Sequence, residues 1–236
     1  MDFSNKDVVV TGGTGALGTA VVTALVKDGA RCTVPYVHDA EMQRFTLRGD
    51  AKVKLIKVAD LSDEADVGKV YGGLTASNGL WASIHIAGGF ASGKVADTDK
   101  TALMAQLDGN LVSCFLCCRA AISAMLKGGQ GGRIVNVAAR PALEPRLGAG
   151  MAAYTVAKTG VAALTIAFAE EAAKDGILVN AVAPSIMDTP ANRKAMPKAG
   201  FDKWPKVEEV AATIVFLASP DNKVTRGGIV PVYGKS

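Results

Sequence analysis

The sequence has no apolar run of the 18 or so residues that a membrane-spanning helix needs. Its first residues, MDFSNKDVVV, form a charged lead-in to a strand and lack the long apolar core of a signal peptide. The sequence therefore predicts a cytoplasmic protein without a membrane partner.

Charge and cysteine are also scarce. Charged residues make up 20% of the chain, and no lysine and arginine cluster is interleaved with aromatic residues, so a nucleic-acid partner is not expected. Three of the four cysteines, Cys114, Cys117 and Cys118, crowd one predicted helix, and Cys32 stands far from them. Because no second pair and no histidine follows, the spacing fits neither a disulfide framework nor a zinc motif. The sequence predicts reduced, packing cysteines and no metal site.

What the chain does have is a regular alternation of strand and helix patterns. Seven β-branched runs read as strands: DVVVTG, ARCTVPY, AKVKLIKVAD, LWASIHIAGG, GRIVNVAA, GILVNAVAP and GGIVPVY. Helical patterns lie between them at 16–28, 63–75, 102–127, 151–174 and 207–218. This alternation predicts right-handed crossovers, and hence one doubly wound α/β domain around a mostly parallel, seven-stranded sheet.

One long stretch has no regular pattern, residues 184–206 with the sequence PSIMDTPANRKAMPKAGFDKWPK. Structureless connections of this length are uncommon in compact domains and often serve as active-site lids. We expect a substrate lid here. The alternative is a short helix and a surface loop without a role.

A glycine-rich stretch, TGGTGALG at 11–18, follows the first strand and opens the first helix. Gly12 permits a tight turn, Gly15 lets the backbone approach a diphosphate, and Gly18 lets the helix pack closely on the strand. The free N–H groups of the helix then face the anion. A purely structural turn is the alternative, but the strand, turn and helix context favours a dinucleotide site. The predicted contacts are Gly12, Thr14, Gly15, Ala16, Leu17 and Gly18.

The second strand ends at Tyr36, where an acid would bind the adenosine ribose of NAD. Asp39 lies too far along the chain to replace that acid, whereas His38 and Arg31 are nearby cations that would suit a 2′-phosphate. The sequence therefore predicts NAD(P) binding, with NADP(H) accepted at least as well as NAD(H).

Asp60 follows the third strand in VADLSD. A carboxylate at this edge of the sheet would accept a hydrogen bond from the adenine amino group. Capping the next helix is an equally good and compatible role.

The segment AAYTVAK places Tyr154 and Lys158 four residues apart, and therefore on one face of a helix. On its own such a pair is usually a solvated face. A cation one turn away would nevertheless lower the pKa of the phenol, ordinarily about 10, and make it a usable acid or base near neutral pH.

Several motifs together resemble the short-chain dehydrogenase/reductase family. They are the glycine motif, ADL at 59–61, AGG at 87–89, Asn110, YTVAK at 154–158 and VNAVAPSIMDTP at 179–190. The resemblance covers nearly the whole chain. It implies one Rossmann domain, NAD(H) or NADP(H) as cofactor, hydride transfer, and frequently a homotetramer or homodimer built through the helices at 102–127 and 151–174.

The resemblance also implies residue roles. Tyr154 would be the general acid in reduction and the base in oxidation, Lys158 would hold the nicotinamide ribose, and Asn110 would keep a water in the proton relay. Further cofactor contacts are implied at Tyr36, Asp60, Leu61, Ala87, Gly88, Gly89, Pro184, Ser185, Met187 and Thr189.

One family feature is missing. A serine normally ends the fifth strand and binds the substrate carbonyl, but this strand ends with Ala138 and Ala139. About two extra residues also separate Ala139 from Tyr154 relative to the usual family spacing. Arg140 is a substitute donor or, alternatively, a surface charge in the loop.

The missing serine, the AGG motif and DTPANRKAMPKAGFDKW at 188–204 resemble the dihydropteridine reductase branch, although Tyr36 departs from it. The sequence thus predicts hydride transfer with a small carbonyl or conjugated imine substrate, with a pterin-like compound as one candidate. A 3-oxoacyl or ketone reductase is an alternative. A weakly catalytic dinucleotide sensor or assembly subunit is another, which Ala139 favours and the intact Tyr154, Lys158 and Asn110 oppose.

Overall fold

The computed structural model describes residues 1–74 and 79–236 and confirms the doubly wound α/β fold. Seven strands form one sheet in the order β3-β2-β1-β4-β5-β6-β7, and every neighbouring pair is parallel. The strands are β1 (Asp7–Thr11), β2 (Arg31–Tyr36), β3 (Val53–Lys57), β4 (Leu80–His85), β5 (Gly132–Val137), β6 (Ile177–Pro184) and β7 (Ile229–Val232).

The described residues form all five predicted helices and several short ones. The helix predicted at 63–75 ends at Tyr71, and the last residue of that prediction lies outside the described residues. The α-helices are α1 (Ala16–Lys27), α2 (Asp39–Met42), α3 (Glu64–Tyr71), α4 (Lys100–Leu107), α5 (Ser113–Gly128), α6 (Arg140–Leu143), α7 (Ala152–Glu171), α8 (Pro190–Ala195) and α9 (Val207–Ala218).

Helices cover both faces of the sheet, which explains why the strands are apolar throughout instead of alternating with polar residues. One core cluster lies between the sheet and α3, α5 and α7. The second lies between the opposite face and α1 and α9. Every residue of β5 and β6 is buried, so these strands form the centre of the core.

The helix predicted at 102–127 is interrupted by a π-helical turn, Asp108–Val112, which joins α4 to α5. By length and composition alone, Lys100–Gly128 and Ala152–Glu171 could each cross a membrane. In this structure 50% and 39% of their apolar windows are buried, and core helices of soluble proteins meet the same test.

The stretch 184–206 is more ordered than its sequence suggests. It contains α8 and a 3₁₀ turn, Phe201–Lys203, and the backbone N–H of Asp188 donates to the carbonyl of Pro205 at 2.9 Å. In form it matches the expected alternative of a short helix with a loop. Its role as a lid stays a prediction.

The strand order places a crevice at the carboxyl edge of the sheet. From β1 the chain proceeds to β2 on one side, whereas β4 lies against β1 on the other side. In open parallel sheets ligands bind at such a switch point, because the loops after the two strands diverge there.

Candidate active site

The glycine turn packs tightly against the end of β4. Gly12 has a φ of +66°, a left-handed conformation that favours glycine, and a Cβ there would lie 2.7 Å from the backbone nitrogen of Ala87. A Cβ on Gly18 would overlap the carbonyl oxygen of Gly12. Gly15 begins α1 without a side-chain cap, so the first N–H groups of the helix are left for a ligand. This cradle fits the diphosphate of a dinucleotide.

Tyr36 ends β2 as predicted, but one expected neighbour is elsewhere. Arg31 is the first residue of β2 and pairs with Asp7 at 2.7 Å, so five residues, or about 17 Å of strand, separate it from Tyr36. The expectation that Arg31 would meet a 2′-phosphate is therefore wrong. Asp39 is bound to Lys57 at 2.6 Å.

Sequence reasoning missed Glu41, which brings a carboxylate to the glycine turn. Its Oε1 accepts from the backbone N–H of His38 at 3.0 Å, and its Oε2 makes a short hydrogen bond with the hydroxyl of Thr14. The sequence feature that could have indicated this contact is an acid in the first helical turn after β2. The carboxylate of Glu41 therefore lies beside the predicted cofactor site, where the sequence predicted no acid.

Asp60 does not cap the helix that follows it. The cap of α3 is Asp63, whose carboxylate accepts from the N–H groups of Ala65 at 2.9 Å and Asp66 at 3.0 Å. Asp60 is exposed and accepts from Ser62 instead. The capping alternative is wrong, and the adenine contact stays a prediction.

Lys158 is a buried side chain and not part of a solvated face. It is 5% exposed, and its Nζ donates to the carbonyl oxygen of Val137, the last residue of β5, at 2.8 Å. The Nζ lies 5.9 Å from the ring centre of Tyr154. Burial lowers the pKa of Lys158 to about 8, because the charged form loses its hydration.

The environment of Tyr154 differs from the sequence-based expectation. Burial raises the pKa of its phenol to about 12, where a lowered pKa was predicted. Phe90, 61% exposed, meets the ring edge-to-face with 5.1 Å between centroids. Phe90 is brought there by the loop after β4, whose Gly93 N–H donates to the carbonyl of Gly150 at 2.7 Å. A positive charge closer than that of Lys158 is needed to lower the pKa of Tyr154, and an oxidised nicotinamide carries one.

Asn110 lies in the π-helical turn and is 2% exposed. Its Nδ2 donates to the carbonyls of Gly89 and Gln106, both at 3.0 Å, whereas its buried Oδ1 has no hydrogen-bond partner among the described residues. A Cβ on Gly88 would overlap this Oδ1 and lie 3.5 Å from the Nζ of Lys158. Because an unsatisfied buried acceptor costs about 1–3 kcal/mol, the Oδ1 is well placed for a water or ligand beside Lys158.

The position of the missing serine holds only methyl groups. Ala138 and Ala139 are buried, and Ala139 directly precedes α6. The guanidinium of Arg140 is held by Glu144 at 3.1 and 3.2 Å and lies over the ring of Tyr233. Its role as a substitute donor stays a prediction.

The segment after β6 uses its polar side chains within the protein. Ser185 donates to the carbonyl of Tyr233 at 2.9 Å, and Thr189 caps α8 by accepting from the N–H of Asn192 at 3.1 Å. The carbonyl of Met187 also accepts from Asn192, at 2.8 Å. The predicted cofactor contacts of these residues stay predictions.

The carboxyl edge thus brings together the glycine turn with Ala87, and Gly88 with Asn110 and Lys158. Tyr154 joins this group because it lies one helical turn before Lys158 on α7. Tyr36 and Asp60 lie at the same edge, after β2 and β3, on the side where the adenosine half of a dinucleotide would extend.

Comparison with known proteins gives one consistent family. Residues 6–200 match the short chain dehydrogenase family. The chain is 34% identical to galactitol 2-dehydrogenase from Rhizobium johnstonii over 98% of its length and 94% of the relative. It is 30% identical to 2,3-dihydroxy-2,3-dihydro-p-cumate dehydrogenase from Pseudomonas putida over 100% and 96%. A short-chain type dehydrogenase/reductase from Mycobacterium ulcerans has the same fold, with a TM-score of 0.89, 24% identity, and coverage of 100% and 90%.

Proposed function

The chain belongs to the short-chain dehydrogenase family and is therefore an NAD(P)-dependent oxidoreductase, and we propose that its substrate is a small carbonyl or conjugated imine compound. When bound, the nicotinamide supplies or accepts the hydride. The described side chains then have to bind the substrate and move one proton.

We assign the proton transfer to Tyr154. Its hydroxyl gives a proton to the substrate oxygen or nitrogen during reduction and takes one back during oxidation. Lys158 holds the nicotinamide ribose, and the positive charge of an oxidised nicotinamide would favour the phenolate of Tyr154. Asn110 binds a water through its Oδ1, which has no hydrogen-bond partner among the described residues, and this water passes a proton from solvent to Tyr154 after each reduction.

The observation that carries this proposal is the convergence at Gly88. The Oδ1 of Asn110 and the Nζ of Lys158 both approach the space that a Cβ of Gly88 would fill. They come from the π-helical turn and α7, and the carbonyl of Val137 at the end of β5 holds the Nζ in place. Buried polar atoms from separate elements are costly to gather without a function.

Two features support a conjugated ring as substrate. The methyl group of Ala139 cannot stabilise an oxyanion, and a conjugated quinonoid ring needs less of that help because it spreads the incoming charge. The exposed ring of Phe90 beside Tyr154 offers an apolar edge for a flat substrate. A pterin-like compound meets both conditions, and a simple ketone or 3-oxoacyl ester meets neither.

For the cofactor we propose contacts along the whole carboxyl edge and use of both NADP(H) and NAD(H). Tyr36 does not repel a 2′-phosphate, whereas the carboxylate of Glu41 does. The residues proposed to hold the dinucleotide are Gly12, Thr14, Gly15, Ala16, Leu17, Gly18, Tyr36, Asp60, Leu61, Ala87, Gly88, Gly89, Pro184, Ser185, Met187 and Thr189.

The substrate class is tested by turnover of NADH and NADPH against matched panels of ketones, 3-oxoacyl esters and quinonoid dihydropterin. We expect the highest kcat/KM with the quinonoid ring. A higher value with a ketone or 3-oxoacyl ester would assign the chain to ketone reduction. Tight cofactor binding without turnover of any panel member would instead support the sensor or assembly role.

The proposal also covers the oligomeric state, the cellular location and the role of residues 184–206. The exposed apolar side chains Phe115, Val156 and Ile166 lie on α5 and α7, which supports a homotetramer or homodimer formed through these helices. We also propose a cytoplasmic location and a lid role for 184–206. Gel filtration with light scattering tests the first of these, and cofactor-dependent protease protection of 184–206 tests the last.

A further inference from the structure

Three side chains of types that can bind a metal ion cluster inside the domain, between β4 and α5. His85 is the last residue of β4, and Cys114 and Cys118 lie one turn apart on α5. Their ligand atoms all lie within 4.8 Å of one another, and the three side chains are no more than 5% exposed. Within residues 1–74 and 79–236 this is the one such group of three. This group matches no metal-binding sequence motif, because the histidine precedes the cysteines instead of following them.

A fourth donor faces the same point. The Oδ1 of Asn136, on β5, lies 2.8 Å from the Nδ1 of His85 and 3.4 Å from the Sγ of Cys118, and this Sγ lies 3.3 Å from the same Nδ1. Around a tetrahedral zinc ion, sulfur and nitrogen ligands are about 3.5 Å apart, since their bonds are roughly 2.3 and 2.1 Å long. Movements of a few tenths of an ångström would therefore open the cluster to an ion.

The surroundings hold the ligands in the required orientation. The Nε2 of His85 faces two hydroxyl oxygens, that of Ser83 at 2.8 Å and that of Tyr71 at 3.2 Å. In this structure Nδ1 is the protonated nitrogen, because it lies 2.8 Å from the Oδ1 of Asn136, which can only accept. Binding of an ion would move this proton to Nε2, where either hydroxyl oxygen can accept the hydrogen bond, and would free the Nδ1 lone pair for the ion. The Nδ2 of Asn136 donates to Thr165 at 2.8 Å, which directs its oxygen towards the cluster. Such outer contacts are what metal-binding histidines and their neighbours require.

We propose that His85, Cys114, Cys118 and Asn136 form a structural site for a thiophilic divalent ion of the zinc class. Binding releases the two thiol protons to solvent, and the two thiolates balance the charge of the ion in the buried site. Four protein donors leave no open coordination position, so the ion takes no part in hydride transfer. It ties α5, and through it the π-helical turn with Asn110, to β4 and β5. This inference does not rest on the proposed function.

The test uses cobalt as a spectroscopic probe for zinc. The full chain is produced in medium that contains Co²⁺ in place of Zn²⁺ and is purified without chelators or metal-affinity steps. The number of metal ions per chain is measured by elemental mass spectrometry. Thiolate ligation is detected by the thiolate-to-cobalt charge-transfer absorption band. The same preparation with Zn²⁺ gives the thermal midpoint. We expect one ion per chain, a thiolate band, and a midpoint that falls when the ion is removed.

Cys117 provides a matched control, because it is buried on the same helix but lies outside the cluster. Cys114→Ser and Cys118→Ser should lower the metal content about tenfold or more and abolish the band, whereas Cys117→Ser should keep both. Circular dichroism confirms that each variant is folded, and Cys118→Ala replaces Cys118→Ser if the hydroxyl prevents folding.

Two results overturn the proposal. One is a wild-type chain that carries no ion and shows no thiolate band after growth with Co²⁺, whatever the variants do. The other is a band that survives in both Cys114→Ser and Cys118→Ser. In either case the cluster is a hydrogen-bonded core network and nothing more.

Discussion

Backbone atoms build the cofactor half of the candidate site, whereas side chains from two elements build the substrate half. The glycine turn needs only that Gly12 and Gly18 lack side chains, so that the turn can pack on Ala87 and on itself. The substrate half needs Tyr154, Lys158 and Asn110 to converge from α7 and a π-helical turn. The backbone half follows the family pattern, and the side-chain half departs from it at Ala139.

This difference teaches where specificity can change without loss of the fold. A backbone cradle is hard to tune one atom at a time, because a Cβ on Gly12 or Gly18 would collide with backbone atoms. A side-chain site can lose a hydroxyl, as at Ala139, and stay assembled. The cofactor half changes through side chains placed beside its backbone cradle, as Glu41 is. We therefore expect substitutions to separate the two halves cleanly.

The largest effect is expected from Tyr154→Phe. Removing the phenol hydroxyl should lower kcat by roughly 10² to 10⁴, the range for losing a positioned acid or base, and leave cofactor affinity unchanged. Turnover and NAD(P)H binding by fluorescence titration are measured on the same sample, with Tyr233→Phe as the control. Unchanged turnover would show that Tyr154 takes no part in the chemistry. It would also show that the cofactor and substrate halves do not differ in the way described above.

Ala139→Ser should have the next largest effect on simple ketones. A well-placed hydroxyl stabilises developing negative charge by up to about 3–4 kcal/mol, and a misaligned one by far less, so ketone turnover should rise. Reduction of a quinonoid ring should stay nearly constant or slow through crowding. Ala138→Ser, one residue away, is the matched control for adding a buried hydroxyl.

The outcome of Ala139→Ser also distinguishes substrate classes. A fall in ketone reduction, with fold and cofactor binding intact, would contradict the explanation that a missing serine limits this reaction. An equal rise for ketones and the quinonoid ring would remove the reason for preferring a conjugated substrate.

Glu41→Gln tests the cofactor half and should act on binding alone. Removing the charge beside Thr14 should tighten NADP(H) relative to NAD(H) by about tenfold, which corresponds to roughly 1.4 kcal/mol. Asp39→Asn is the control, because Asp39 lies on the same short helix but binds Lys57. If the ratio of NADP(H) to NAD(H) affinity does not change, or changes equally in the control, Glu41 does not discriminate between the two cofactors at the adenosine ribose.

The smallest effect is a change of stability with pH at Lys158. Its folded pKa of about 8 lies below the ordinary value of 10.5, so the unfolded chain binds more protons between these pH values and Lys158 makes stability rise with pH in this window. Lys158→Met should therefore be more stable than the wild type below pH 8, and its advantage should shrink towards pH 10.5. Denaturant unfolding of both proteins at pH 7 to 10.5 measures the difference. A constant difference would mean that Lys158 is not buried as a charge.

Local patterns were enough for the fold and for part of the site. Strand and helix periods gave the parallel sheet, and the glycine turn and the Tyr154 to Lys158 spacing marked both halves of the site. The errors share a cause. Arg31 and Asp60 were assigned by closeness along the chain, yet Arg31 sits at the far end of β2, and Asp63 is the residue that caps α3.

The sequence alone determined what repeats locally: seven apolar strands, the helices between them, and a turn that only glycine can make. These depend on backbone geometry and on periodic burial, which neighbouring residues specify. Only the tertiary structure decided that Glu41 reaches Thr14 and that His85 joins Cys114 and Cys118. It also decided that the Oδ1 of Asn110, beside Lys158, has no hydrogen-bond partner within residues 1–74 and 79–236. These contacts join residues 27 or more positions apart, and their energies depend on desolvation and on which atoms the packed sheet brings within a few ångströms.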